Sequence, residues 1–489
     1  MKRRKEEPAG IPACRPQQTM HGITLTKAPS DWEILQQEDG SARAVLAGHF
    51  QVHPAAIQVG VAKVRPIYRI VREEDNYAVV PWTPLKANIR PDFTGTFEDT
   101  IVIPAGGLYR IDTSLETQST VPHLTWLYRG DCVLHVGVGN VFLIAGQSNS
   151  SGYGRDFVPD PPDLSVHLFR NRCRWDLASH PMNESTDAGS PANEEMGVPG
   201  VSPYLSFGKN FSRITHLPVG LVQASLGGSP MSRWHPETGD LYACMMERIR
   251  LTHGKYAGVL WYQGCSDGDP TAAPYYYENF ERMVKALRTA LGYEIPFFTC
   301  QLNRFVDCRE DVSWGQIREA QRQAALRIPG VTVLPTTNNA MSDGIHNSAG
   351  ANLLLGEKLA MQAAHVLAGA PEYAAPDLSE ALLLQDGRIR LTFAHMKLGF
   401  VYHSLDPAMN GFTLEDASGE IPLTGFQAAR EDLNHIYLTP SRAPGEDARI
   451  SFAWQADPTR CPPTDEVTFL PPLSFYQVPV SRNSGDSAG

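Results

Sequence analysis

In the middle of the chain, short and largely apolar runs alternate with amphipathic stretches, and this pattern narrows the fold more than any other feature. The runs fall at residues 141–145, 219–224, 258–262, 297–302 and 331–335. Continuous apolar runs of this length suit strands covered on both faces, the condition of a parallel sheet. Between them, residues 275–291 place Phe280, Met283, Val284, Leu287 and Leu291 on one helical stripe. Ser313 is placed to cap a helix carrying Ile317, Ala320, Ala324 and Ile328, and Ser348 to cap a last helix from about Ala349 to Leu367. The alternation predicts a three-layer α/β domain with its sites at the carboxyl ends of the strands.

The flanks read differently. Residues 24–136 carry short β-favouring runs such as 42–46 and 100–103, broken by clusters such as Pro104-Ala105-Gly106-Gly107, with no long helical periodicity. From Gly369 onward the pattern turns β again, as in 388–393 and 448–454. The expected organisation is therefore an N-terminal β-sandwich-like domain over 1–137, the α/β domain over 138–368 and a C-terminal β domain over 369–489. Roughly the first 22 residues read as a frayed terminus, and Asn483 onward as a disordered tail.

Composition excludes several partners. The net charge of −11 argues against a surface that neutralises phosphates, so no nucleic acid is expected. The basic cluster Lys2-Arg3-Arg4-Lys5 runs straight into Glu6 and Glu7 and reads as solvated terminus, with no apolar stretch behind it to make a secretory signal. Nor does any apolar run reach the ~18 residues of a membrane span, so no membrane partner is expected. Eight scattered cysteines without a C-x-x-C pair suit reduced thiols in a cytoplasm. The sequence holds no zinc-peptidase, P-loop or dinucleotide motif, so neither metal nor organic cofactor is expected. Oligomeric state leaves no mark in the sequence.

Four blocks carry chemistry. The first apolar run leads into Gly146-Gln147-Ser148-Asn149, which puts a serine hydroxyl at a strand-to-helix turn where backbone N–H groups converge. It is not a G-x-S-x-G elbow, because Ser150 stands where the second glycine would be. The next run ends in Ser225-Leu226-Gly227-Gly228-Ser229-Pro230, where a glycine permits close backbone approach or simply a tight loop. The third ends in Trp261-Tyr262-Gln263-Gly264-Cys265, offering a side-chain amide to an oxyanion or to loop backbone. The fourth, Asp343-Gly344-Ile345-His346, lets an aspartate approach an imidazole and fix its orientation. A second copy of that spacing, Asp432-Leu433-Asn434-His435, lies in the C-terminal β region without strand-loop-helix context.

In this order, each at a strand end, the blocks resemble the SGNH hydrolases, and more narrowly the sialate O-acetylesterase and acetylxylan esterase branch. That branch reads G-Q-S-N, G-G-[ST]-P, W-Y-Q-G-E and D-x-x-H. The resemblance covers residues 138–368 and implies a flavodoxin-like domain with a serine mechanism. Ser148 would be nucleophile, His346 base and then acid, and Asp343 its orienting partner. The Ser148 N–H, the Gly228 N–H and the Gln263 amide would hold the oxyanion, with Gly227 the alternative to Gly228. Cys265 departs from the family's glutamate and bears on substrate contacts, for which Asn149, Arg155, His180, Asp187 and Trp234 are further candidates. The implied activity is O-deacetylation of a sugar. A carbohydrate-binding protein without catalysis and an SGNH lipase or thioesterase are the alternatives.

Overall fold

The continuous apolar runs do form a parallel sheet, and its order shows why the chemistry collects at one edge. The computed structural model describes residues 21–309, 311–429, 431–458 and 461–482, without the side chain of Ala408. The basic cluster at 2–5, Cys14 and the tail from Asn483 lie outside the described residues. By its contacts the chain divides into two compact units, one of Met1–Glu33 with Gln37–Val138 and the other of Ile34–Gln36 with Gly139–Gly489.

The first unit is built of antiparallel strands. Two of its runs read from the sequence pair with one another, Ala44 standing opposite Ile101 in the ladder between Ser41–Gln51 and Gly95–Pro104. A second set joins Ala78–Pro84, Val61–Arg72, Gly106–Ser119 and the start of Thr125–Gly146. The only helix described here is the single short piece Pro54–Val59.

In the second unit the strand order across the sheet is Trp175–Leu177, Val166–Phe169, Val219–Gln223, the end of Thr125–Gly146, Gly258–Tyr262, Phe297–Cys300 and Val331–Leu334. All neighbours are parallel except the edge strand Trp175–Leu177. The chain fills one side of the strand ending at Gly146 and then crosses to the other side. Such a reversal leaves a crevice at the carboxyl edge.

Helices cover both faces. Phe142, Ile144, Leu260, Tyr262 and Phe298 pack with Tyr204, Phe207 and Phe211 of Tyr204–Thr215 and with Leu355, Leu359 and Ala363 of Ala349–Ala368. Alternate residues point the other way, Trp261 and Phe297 meeting Phe280 of Tyr276–Leu291 at ring separations of 5.7 and 5.9 Å. Ser348 caps the last helix as expected, its hydroxyl accepting from the Ala351 N–H at 3.1 Å. Ser313 does not cap its helix: the helix is Asp311–Arg327, and Ser313 lies buried within its first turn.

The C-terminal strands include Ile389–Ala394 and Arg449–Phe452, both anticipated from the sequence, and share a core of Leu391, Phe393, Phe412, Ile450, Phe452 and Phe475. Buried Arg318 ties this region to the α/β part of the unit. Its guanidinium donates to the carbonyls of Leu302 (2.8 Å), Asn303 (2.6 Å), Ala453 (2.9 Å) and Gln455 (2.5 Å). Burial holds it below the usual arginine range, at about 9. The charge is tolerated because four of the five N–H donors of the fork are engaged by carbonyl dipoles. Arg318→Met should leave those carbonyls without a donor and lower stability by about 3 to 5 kcal/mol, read from urea unfolding. An unchanged midpoint would mean that solvent reaches the carbonyls.

Candidate active site

The strand ending at Gly146 delivers Ser148. Gly146 sits at φ +119°, and a Cβ there would lie 2.4 Å from the Tyr262 carbonyl oxygen on the neighbouring strand. Only glycine can hold this turn. The chain then enters one helical turn, Ser148–Ser151, so the Ser148 N–H leads a helix and has no intrahelical acceptor. Ser150, in place of an elbow glycine, turns inward: its hydroxyl donates to the Ala145 carbonyl at 2.8 Å and lies 2.9 Å from the Tyr204 hydroxyl.

The aspartate and histidine of the fourth block do pair. His346 Nδ1 lies 2.8 Å from Asp343 Oδ2, and Asp343 Oδ1 accepts from the Ile345 and His346 N–H groups at 2.9 and 2.8 Å. Burial raises the Asp343 pKa, but the His346 ring and those N–H donors outweigh it and hold the carboxyl below its usual value. With Nδ1–H donating to the carboxylate, Nε2 carries the free lone pair. The second copy forms no such pair. His435 Nδ1 is 3.9 Å from Asp432 Oδ2 and has no hydrogen-bond partner.

Asn149 joins the two loops. Its Nδ2 donates to the Ile345 carbonyl at 3.1 Å, and its Oδ1 accepts from the Asn347 N–H at 3.0 Å. One buried amide therefore grips the backbone on both sides of His346, immediately after Ser148. Asn303 adds a bond to the same Ile345 carbonyl at 2.9 Å. Gln147 grips the third block, its Oε1 accepting from Gly264 N–H at 2.9 Å and Ser266 N–H at 3.2 Å.

Glu195 distinguishes the two glycines, since its carboxylate accepts the Gly227 N–H at 2.9 Å. Gly228, at φ +64° with no atom within 4 Å of where a Cβ would stand, faces open space. Glu195 also accepts from the Tyr153 hydroxyl at 2.8 Å, and the Tyr153 ring stacks on His346 at 4.8 Å. Tyr153 and Glu195 thus brace the imidazole and the glycine loop together. Neither was visible in the sequence, since both lie in a long irregular stretch.

The expected roles of Gln263, Trp234 and Asn149 are corrected, and the other candidates are placed as follows. Gln263 is fully buried, and its amide N–H groups are committed to the Ser229 carbonyl (3.1 Å) and Asp267 Oδ2 (2.5 Å), so neither is left for an oxyanion. Trp234 is also fully buried, packed on Trp261 at 5.2 Å, and cannot touch a sugar. Asn149 holds backbone rather than substrate. His180 has both ring nitrogens engaged, with Asp160 Oδ2 at 2.9 Å and the Ser202 N–H at 3.3 Å. Cys265 lies near Arg318, Asp267 and Asn149, and burial pushes its thiol up to about 12, which leaves it a poor nucleophile. Arg155 is exposed, its guanidinium 5.6 Å from the Tyr153 ring, and it lines a cavity of about 620 Å³ with Phe157, His180 and Val198. Asp187 is an exposed turn residue.

Residues 138–365 match the family model described as carbohydrate esterase, sialic acid-specific acetylesterase. That stretch of the chain is similar to the carbohydrate esterases. All four blocks that resemble the sialate O-acetylesterase-like branch lie inside it. No curated protein matches the chain by sequence. A carbohydrate acetylesterase from Xanthomonas citri shares the fold, with 20% identity over 93% of this chain and 99% of that one and a TM-score of 0.60. A protein from Arabidopsis thaliana is 25% identical over 46% of this chain and 98% of its own, at a TM-score of 0.41, too loose a likeness to bear on the fold.

Two outcomes follow from this geometry. Asn149→Ala should lower kcat for a small acetyl ester by about 10²-fold with KM little changed, because a misplacement of roughly 1 Å between reacting groups has that effect. A change confined to KM would make Asn149 a substrate contact instead. Asp267, buried and pushed up to about 6 from 3.8 mainly by desolvation, binds more protons in the folded than in the unfolded chain between those values. Stability should therefore fall as pH rises from about 4 to about 6, by at most about 3 kcal/mol, and then level off. Asp267→Asn should remove that slope in urea unfolding measured across the window.

Proposed function

We propose that the protein is a serine-dependent carbohydrate O-acetylesterase of the SGNH type. The observation that carries this reading is the Asn149 amide, which makes the Ser148 turn and the Asp343–His346 pair one hydrogen-bonded unit. In the proposed mechanism His346 Nε2 takes the Ser148 proton as Oγ attacks the acetyl carbonyl carbon. Asp343 holds the imidazole in the required tautomer and stabilises the imidazolium. The N–H groups of Ser148 and Gly228 receive the developing oxyanion, Gly227 being taken by Glu195.

Collapse of the tetrahedral intermediate expels the sugar alkoxide, which leaves as alcohol with the proton from His346. Water then repeats the cycle on the acetyl-enzyme and releases acetate. The cavity beside Tyr153, lined by Arg155, Phe157 and His180, has room for a sugar ring. The family match over residues 138–365 supports the acetylated-sugar class of substrate.

Acetate release from a panel of acetylated glycans tests the activity. Ser148→Ala should reduce it by about 10⁴- to 10⁶-fold and Asp343→Asn by about 10⁴-fold, whereas Asp432→Asn should be silent. A fluorophosphonate should label the wild type at Ser148 and leave Ser148→Ala unlabelled. Full activity in Ser148→Ala would put the nucleophile elsewhere.

A further inference from the structure

The first unit holds an open basic cavity. Strands Val61–Arg72, Gly106–Ser119 and the start of Thr125–Gly146 are antiparallel neighbours, and their registers place Arg69 opposite Asp112 and Asp112 opposite Cys132, with Ser114 opposite Arg129 one step along. Cross-strand partners share a face, so the guanidiniums gather on one side of the sheet. Arg69 and Arg110 each donate to a different oxygen of Asp112, both at 2.8 Å. That carboxylate is saturated. Arg129 reaches only the Cys132 sulfur, at 3.9 Å, and makes no ion pair among the described residues.

Three guanidiniums thus face one carboxylate, on a chain whose net charge is −11. Beside them stands Trp82, 37% exposed, with the Arg69 guanidinium 4.7 Å from its ring centroid. Leu127, 57% exposed, also lines the cavity. The cavity measures about 440 Å³. Small-ligand sites span roughly 300–1,000 Å³ and combine an apolar wall with a few oriented polar groups.

We propose that this cavity binds an acidic sugar, a pyranose carrying a carboxylate. A fork of planar donors with unbalanced positive charge matches a carboxylate in a way that a lone lysine would not. A ring with an apolar C–H face suits the exposed indole, which a simple inorganic anion would not use. No ester and no residue of the candidate active site takes part, so the site stands or falls apart from the esterase reading.

The test is calorimetric titration of the full chain with the methyl glycoside of glucuronic acid, with methyl glucoside and inorganic phosphate as comparisons. The acidic glycoside should bind, and the neutral one should not. Arg129→Ala and Trp82→Ala should each weaken binding by about tenfold or more. Both variants should keep the wild-type circular dichroism and the wild-type rate on p-nitrophenyl acetate. Equal binding of methyl glucoside, wild-type affinity in both variants, or no binding by the wild type would each overturn the proposal. If phosphate competes fully and Trp82→Ala changes nothing, the cavity is an anion site without sugar recognition, and the proposal fails as well.

Discussion

Buried backbone must find hydrogen-bond partners, and at the carboxyl edge of this sheet the partners are side-chain amides. Gln147 takes the Gly264 and Ser266 N–H groups, and Asn149 the Ile345 carbonyl and Asn347 N–H. Gln301 bonds the carbonyls of Arg318 and Ser474, Gln321 the Leu302 N–H and Gln263 carbonyl, and Asn303 the Ile345 carbonyl again. A primary amide donates and accepts at once and carries no charge to desolvate. It can therefore stitch together loops that come from distant parts of the chain. The candidate site depends on this stitching, because Ser148 and His346 ride on loops that the amides hold in place.

That dependence explains what was legible in the sequence and what was not. Five of the parallel strands announced themselves because a strand covered on both faces is largely apolar. Val166–Phe169 and Trp175–Leu177 escaped notice because strands of four and three residues leave too little pattern. Tyr204–Thr215, whose buried face includes Leu205, Phe207 and Phe211, is only twelve residues long and carries a glycine near its middle, which interrupts the apolar pattern. The Asp343–His346 pair was readable because its spacing is local and the geometry follows from one turn of chain.

Roles set by a competing neighbour were not readable. Gln263 reads as an oxyanion donor until Asp267, farther along the same loop, takes its amide. Trp234 reads as a platform for sugar until Trp261 covers it. Glu195 has no motif around it, yet it decides which glycine N–H stays free. In each case the deciding partner is chosen by folding, and residue type alone does not reveal it.

Gly146 has a consequence for how such a domain could change over generations. Its missing side chain is what lets the strand bearing the serine lie against the Tyr262 backbone, so replacing it strains the sheet itself. Ser148 and His346 are held by surroundings that would survive their replacement. A descendant that lost its chemistry would shed the serine or the histidine and keep the glycine and the asparagine, like a lock whose bolt has been removed but whose case still fits the door. Among relatives, the glycine would testify to ancestry and the serine to present use.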